Sequence, residues 1–300
     1  MSNSLGTLNS ALILQTALSL VFTKRPLLSA ISKDLDPMGA KQGQTVITRL
    51  KSVPSVVNST DPLPAFNTSD VPVTLSYSKR VGASFTSAQL NSTARDLIQE
   101  LAEPIAIAMA NSIVDSVAAL WTTSNFGYET VDGQPSYNTL VELRKALIDR
   151  GIHGKRYLSV NAATYAALLE DPLITRPNRF MAMGTDIIQT GEIAGVAGFE
   201  NIFEYPAIPT ANYLTGFCCT PEAVVLCSRA PQDPREAFGG NIPFPGNFDI
   251  ITDPTTGMSA AAVEWINPDT LDVNVYLKWI YGVAVGNSAA GQRLVYQANA

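Results

Sequence analysis

The chain carries one histidine, His153, in the run Gly151-Ile-His-Gly154, and this limits the acid-base and metal chemistry open to it. A typical zinc triad needs further imidazoles, and no HExxH pair is present. His153 reads as a loop residue between a helix and a strand. The cysteines Cys218, Cys219 and Cys227 are odd in number, fall in one short region and lack CxxC spacing, which argues against a disulfide framework and a zinc site. Phe217 and the strand that follows make buried packing a better account of these thiols than reactivity. Gly191, Gly195 and Gly198 have a superficial likeness to a dinucleotide loop, but the GxG opening is missing and backbone turns explain them better. Neither a Walker loop nor GxSxG occurs. Glu100, Glu103, Asp233 and Glu236 have spacings that do not separate a catalytic pair from a solvated face. No cofactor is expected. The surviving enzyme hypothesis is a hydrolase using carboxylates within residues 125–260, which predicts a soluble monomer with a cleft.

Composition narrows the classes further. With 300 residues, 46% hydrophobic content and 15% charged residues, the chain can bury a sizeable core. The net charge is -6, and Lys24-Arg25 and Lys79-Arg80 are isolated pairs, so there is no basic stripe for holding nucleic acid. Ala11 to Phe22 is apolar, but its positive charges follow it and it is too short to span a bilayer. No membrane association is expected, and a reducing compartment fits the cysteines. Asn58, Asn67 and Asn91 match a glycosylation pattern but read as polar loop and cap residues.

The elements that must organise these residues begin with a long helix over Thr93 to Trp121. Leu97, Leu101, Ile105, Met109, Ile113, Val117 and Trp121 form a stripe on one side of a rod roughly 43 Å long. Pro104 should free the carbonyl of Glu100, so a kink is expected there. Near the C-terminus, Leu271 to Val283 alternates as a strand of roughly 44 Å. Ala261, Val263 and Trp265 form a second alternating run, with Asn267-Pro268-Asp269 as the turn between them. Rod and ribbon have equal reach and are expected to lie side by side.

The other segments follow the same logic. Residues 1 to 38 read as an apolar arm that Pro26 interrupts, docking on its own body or on a neighbour. Gly43 to Thr86 reads as a two-armed loop, with a strand over Thr45 to Leu50, a second over Val71 to Phe85, and a polar tip over Lys51 to Asp70. Such a projection is marginal alone, so it is expected to rest on another subunit. From Asn125 an α/β region begins. A capping box at Thr139 to Glu142 opens one helix, Asn161 caps a second, Tyr157 to Val160 and Ala223 to Cys227 are strands, and Arg229 to Pro254 is a long loop.

The order of these blocks resembles a known family. "TLNSALILQTALSLV", "GQTVITRL", "VTLSYSKRVGASFTSAQL" and "RDLIQELAEPIAIAMANSIVDSVAALW" are similar to the major capsid protein of tailed bacteriophages. Three later blocks, "LRKALIDRGIHGKRYLSVNAATYAALLEDP", "GEIAGVAGFENIFEYPAIP" and "GMSAAAVEWINPDTLDVNVYLKWIYGVAVG", continue the likeness over nearly the whole chain. It resides in order and spacing, because the individual motifs are degenerate.

The resemblance implies an α+β protein with the Hong Kong 97 type capsid fold, nearest the coat proteins of short-tailed Salmonella-type phages. It implies an N-terminal arm at 1–38, an extended β loop at 39–90 and a spine helix of the peripheral domain at 91–124. An axial domain with some peripheral-domain connections would follow at 125–258, and the peripheral-domain hairpin and C-terminus at 259–300. The implied function is structural: self-assembly as pentamers and hexamers into an icosahedral head enclosing double-stranded DNA without sequence-specific binding. Lys51, Asn58, Asp61, Asn67, Asp70, Lys79 and Arg80 are the expected inter-subunit contacts. The partners implied are other copies of the chain, a separate scaffolding protein, a portal protein and a decoration protein. The location would be the virion, after assembly in the host bacterial cytoplasm. Some relatives form covalent Lys-Asn crosslinks; Lys51, Asn58 and Asn67 fall in the right region, yet any polar tip holds such residues, and crosslinking is not expected. An encapsulin-like cellular shell enclosing enzyme cargo is the near alternative. A receptor-binding module has no positive feature in its favour.

Overall fold

The computed structural model describes residues 10–50, 56, 58–59, 69–86, 97–175, 190–233 and 246–296. They group into two units, one built from the chain up to Arg25, Lys33–Ile113 and Leu226–Val283, the other from Pro26–Ser32, Val114–Val225 and Ala284 onward.

In the first unit, helix α1 spans Ser10–Lys24, strand β1 Ser32–Ala40, β2 Thr45–Leu50, β3 Ser69–Thr74 and β4 Tyr77–Phe85. Helix α2 spans Leu97–Ala118 and passes through Pro104 without a break. At 22 residues it is roughly 33 Å long. The continuous apolar face, buried at Ile105, Met109 and Ile113, holds the helix together where one backbone hydrogen bond is lost.

The main sheet of this unit has the order β1-β9-β12-β11-β10, where β9 is Val224–Pro231, β10 Gly246–Thr252, β11 Ser259–Ile266 and β12 Val273–Val285. The expected terminal hairpin is present: Ile266 pairs with Val273 and Ala261 with Lys278, antiparallel. Along β12, Val275, Leu277, Trp279 and Tyr281 are buried, as their alternation requires. Rod and ribbon meet at Tyr281, whose hydroxyl donates to the Ser112 carbonyl of α2 at 3.0 Å. Tyr77 stacks on the same ring at 4.9 Å.

Two expectations change here, and one alternative left open is decided. The segment 229–254 contains the strand β10, paired with β11 from Gly246 to Thr252. Its Gly-Asn-Phe-Asp opening reads as loop, and a partner strand overrides that local preference. The second arm of the loop divides at Leu75-Ser76, so that β3 pairs with β2 while β4 pairs with β12 from Tyr77 to Phe85. Helix α1 docks on its own body, against β10 and β11, with Leu14, Ala17, Leu18 and Val21 buried. Burial of such side chains is worth about 1.5–3 kcal/mol each, enough to hold a helix that would be marginal alone. Lys24 pairs with Glu103, and the Arg25 Nε donates to Asn111 Oδ1 at 2.6 Å, tying α1 to α2. Strand β1 continues through Pro37, which an edge strand tolerates.

The second unit is a five-stranded sheet in the order β5-β13-β8-β6-β7, with β5 at Glu129–Val131, β6 at Tyr157–Val160, β7 at Asn201–Glu204, β8 at Leu214–Cys219 and β13 at Gly291–Val295. Helices α3 (Tyr137–Asp149) and α4 (Ala162–Glu170) share one core with it. Leu140, Leu143 and Leu147 of α3 and Tyr165 and Leu168 of α4 bury with Leu158, Ile202, Cys218 and Leu294. The cap of α3 is Ser136, three residues earlier than expected, and its N–H donates to Thr139 Oγ1 at 2.9 Å. Asn161 caps α4 as expected, accepting from the Thr164 N–H at 2.8 Å. Elsewhere in this unit, Phe217 lies between Trp121, stacked at 5.0 Å, and Phe126, edge-on at 4.8 Å.

At Gly282 of β12 a Cβ would lie 2.2 Å from the Thr74 carbonyl oxygen. Gly282→Ala should therefore destabilise the subunit by about 3 kcal/mol, because backbone must move to admit the methyl group. Urea unfolding of the two proteins side by side measures this.

Candidate functional site: an assembly surface

The β2–β3 ribbon presents two unlike faces. Val46, Thr48, Leu50, Ser69, Val71 and Val73 point one way, and all are buried but the half-buried Val46 and the exposed Ser69 at the end. Thr45, Ile47, Arg49, Asp70, Pro72 and Thr74 point the other way and are exposed. Ile47 is 62% exposed, an apolar side chain in the middle of a polar row. Arg49 and Asp70 face each other at 3.6 Å, with both side chains more than half exposed, so the pair contributes little to stability.

Past the middle of β2 the ribbon is held by a partly buried polar cluster. Thr48 Oγ1 donates to Asp34 Oδ2 at 2.7 Å, and Arg229 Nη2 donates to Asp34 Oδ1 at 2.7 Å. Arg229 Nη1 donates to the carbonyls of Asp34 and Ser228 at 2.8 and 2.9 Å. Burial alone would raise the Asp34 pKa, but the Thr48 hydroxyl and the Arg229 guanidinium outweigh it and hold the carboxyl below its ordinary value.

A second surface lies on β4, β11 and β12. The pairing sets Gly82 opposite Tyr276 and Ser84 opposite Asn274, and Asn274 opposite Trp265. These residues and Arg80 line a groove of about 680 Å³, with Gly82 as floor. Arg80 is paired with Lys278, two cations set face to face, an arrangement that costs stability unless an anion or a ring relieves it. The Arg80 guanidinium lies 5.9 Å from the Tyr276 ring centroid, a cation-π contact that relieves part of it. Strand β4 has β12 as its neighbour and no second partner among the described residues. Lys79 and Arg80 on such an edge also discourage indiscriminate strand pairing.

The seven expected contact residues thus fall in separate places. Asp70 is on the outer face of the ribbon, Asn58 is exposed, and Lys79 and Arg80 are exposed on β4. Lys51, Asp61 and Asn67 lie outside the described residues, as do Asn91 and Glu236. Sequence reasoning missed Asp34, Thr48 and Arg229; the one available signal was a threonine in an otherwise apolar alternating row.

The residues considered for chemistry are dispersed. His153 is exposed, and Glu103 is engaged by Lys24. Gly191, Gly195 and Gly198 all have positive φ, the geometry of backbone turns. No group of three His, Cys, Asp or Glu side chains suited to a metal occurs among the described residues, and no described helix is long and apolar enough to cross a membrane.

No family sequence model and no curated protein sequence matches the chain. Solved structures do. The capsid of cyanophage P-SCSP1u superposes with a TM-score of 0.57 at 11% identity, over 90% of this chain and 87% of the other. The Mycobacterium phage Che8 structure gives 0.51 at 14% identity over 84% of each chain. A virus-like particle from Pyrococcus furiosus gives 0.52 at 14% identity over 94% of this chain and 98% of its own.

The chain has the Hong Kong 97 type capsid fold. At such identities the likeness is one of fold, carried by the arrangement of elements and not by shared residues. The Hong Kong 97 fold here keeps its three thiols inside: Cys218, Cys219 and Cys227 are fully buried. Burial pushes the Cys218 thiol well above its usual pKa, Cys219 to about 12 and Cys227 to about 11. Native protein at pH 8 should consequently give less than about 0.1 equivalent of fast reaction with Ellman's reagent, and three equivalents after denaturation. Rapid modification of even one thiol in the folded subunit would contradict the packing described.

Proposed function

We propose that this chain is the structural subunit of an icosahedral phage head, joining as pentamers and hexamers into a shell that encloses double-stranded DNA. The observation that supports this most is the fold likeness, which runs through 84–94% of the chain in the comparisons above. Repeated heterologous contacts between identical copies generate closed rings, and bending between rings closes a shell. The outward row on the ribbon and the groove on β4 are two unlike surfaces, the arrangement that heterologous contact requires. The ribbon tip, Lys51 to Asp70, would lie over an adjacent subunit, with Lys79 and Arg80 at a further contact. A net charge of -6 suits a lining that must not trap DNA during packaging.

The finer parts of the reading are a place among the coat proteins of short-tailed Salmonella-type phages, a separate scaffolding protein, portal and decoration partners, and assembly in the bacterial cytoplasm. A cellular shell enclosing enzyme cargo is the second reading. Nucleic acid inside purified particles supports the first reading, and a protein cargo the second.

Electron microscopy of the purified chain, alone and with a co-expressed scaffold, should show rings or closed shells. A persistent monomer with hydrolytic activity would overturn the reading. Since Leu50 pairs with Ser69, an Asn-Gly turn can replace residues 51–68 and close the ribbon. That variant should keep its Tm within a few degrees, yet fail to form shells. Wild-type shells boiled in detergent should run as a single monomer band; a ladder of covalent oligomers would show crosslinking at the tip.

A further inference from the structure

We infer that Asp34 is a positioning residue for assembly: gripped by Arg229, it fixes through Thr48 the direction in which the β2–β3 ribbon leaves the sheet. Its importance for shells rests on the proposed function, whereas its effect on the ribbon does not.

Thr48 is the one buried polar member of the inner row, whose other members are Val46, Leu50, Val71, Val73 and the exposed Ser69. Valine has nearly the same shape and an equal liking for strands, so packing alone does not call for threonine. What threonine adds is a hydroxyl that must find a partner once buried. Its partner is a carboxylate already immobilised, because Arg229 spends both terminal nitrogens on Asp34 and on the backbone beside it, with only 9% of its side chain exposed. A ribbon that swings away leaves a hydroxyl and a carboxylate oxygen without partners, whereas a purely apolar seat would let it settle at many angles.

This tie holds one strand of the ribbon, and a different contact holds the other. On β3, the Thr74 carbonyl sits so close over Gly282 that no side chain fits between them. One attachment would leave a swivel, but one on each strand defines a direction. Thr48 is the fourth residue of β2, so the strand runs two residues, about 7 Å, beyond the tie, and a 10° error there already displaces Leu50 by about 1.2 Å. That displacement exceeds what a hydrogen bond with a neighbouring copy tolerates.

Three variants of the full chain test the inference: Thr48→Val, Thr48→Ser and Asp34→Asn. Hydrogen exchange on the unassembled subunit reports on the ribbon directly. Thr48→Val and Asp34→Asn should raise exchange at residues 45–50 and 69–74 at least tenfold while β6 and β8 are unchanged, and electron microscopy should show open or aberrant particles. Thr48→Ser keeps the hydroxyl and should restore both readouts. Wild-type exchange in Thr48→Val, or normal shells despite faster exchange, would overturn the assignment. Should Asp34→Asn fail to fold, Thr48→Val decides alone, since it leaves the Arg229–Asp34 pair in place. If the wild-type chain forms no shells, the proposed function fails by itself and ribbon exchange still tests the positioning role.

Discussion

Strand β12 must be satisfied on both edges and both faces at once, and most of the first unit follows from this. From Val273 to Lys278 it has β11 on one side and β4 on the other, so neither neighbour can shift without breaking a ladder. Its buried side chains leave no room for error on one face, and Tyr281 extends the same requirement to α2 through Ser112. Where other backbone has to come closest, side chains are absent: Gly82 lies against Tyr276, and Gly282 against Thr74. A strand paired on both edges in this way fixes the register of both its neighbours.

The rest of the unit divides into parts bound to that sheet and one part that leaves it. Helix α1 has an apolar face and could have been a free arm; instead its leucines are buried on β10 and β11. The ribbon behaves differently, burying one face near its root and presenting an exposed row on the other. Two strands alone are marginal in water, and this pair is tied to the sheet by the polar cluster at Thr48 and by the passage over Gly282. The resulting surface is mixed, with an exposed isoleucine, an exposed ion pair and a cationic edge on β4.

Among the described residues, the thiols and glycines that could have served chemistry are held in packing and in turns. The thiols that might have been nucleophiles are deep in strands, where desolvation keeps them protonated. Glycines with the spacing of a phosphate loop supply left-handed turns.

The amino-acid sequence by itself determined the elements whose signal is local and periodic: the apolar stripe of α2, the alternation of β12, the turn at Asn267 to Asp269, and the Asn161 cap, each decided by neighbours a few residues away. It also exposed the poverty of histidine and the absence of a basic stripe. Tertiary structure alone decided what depends on pairing across the chain. Strand β10 forms because β11 is beside it, the second arm of the loop splits because β4 has β12 to join, and α1 settles on its own body because an apolar face is available there. Asp34 and Arg229 are 195 residues apart in the chain, so no periodicity can announce that they share a hydrogen bond. A threonine at position 48 looks like any strand residue until folding places a carboxylate beside its hydroxyl, since the cost of burying that group depends on which partner arrives.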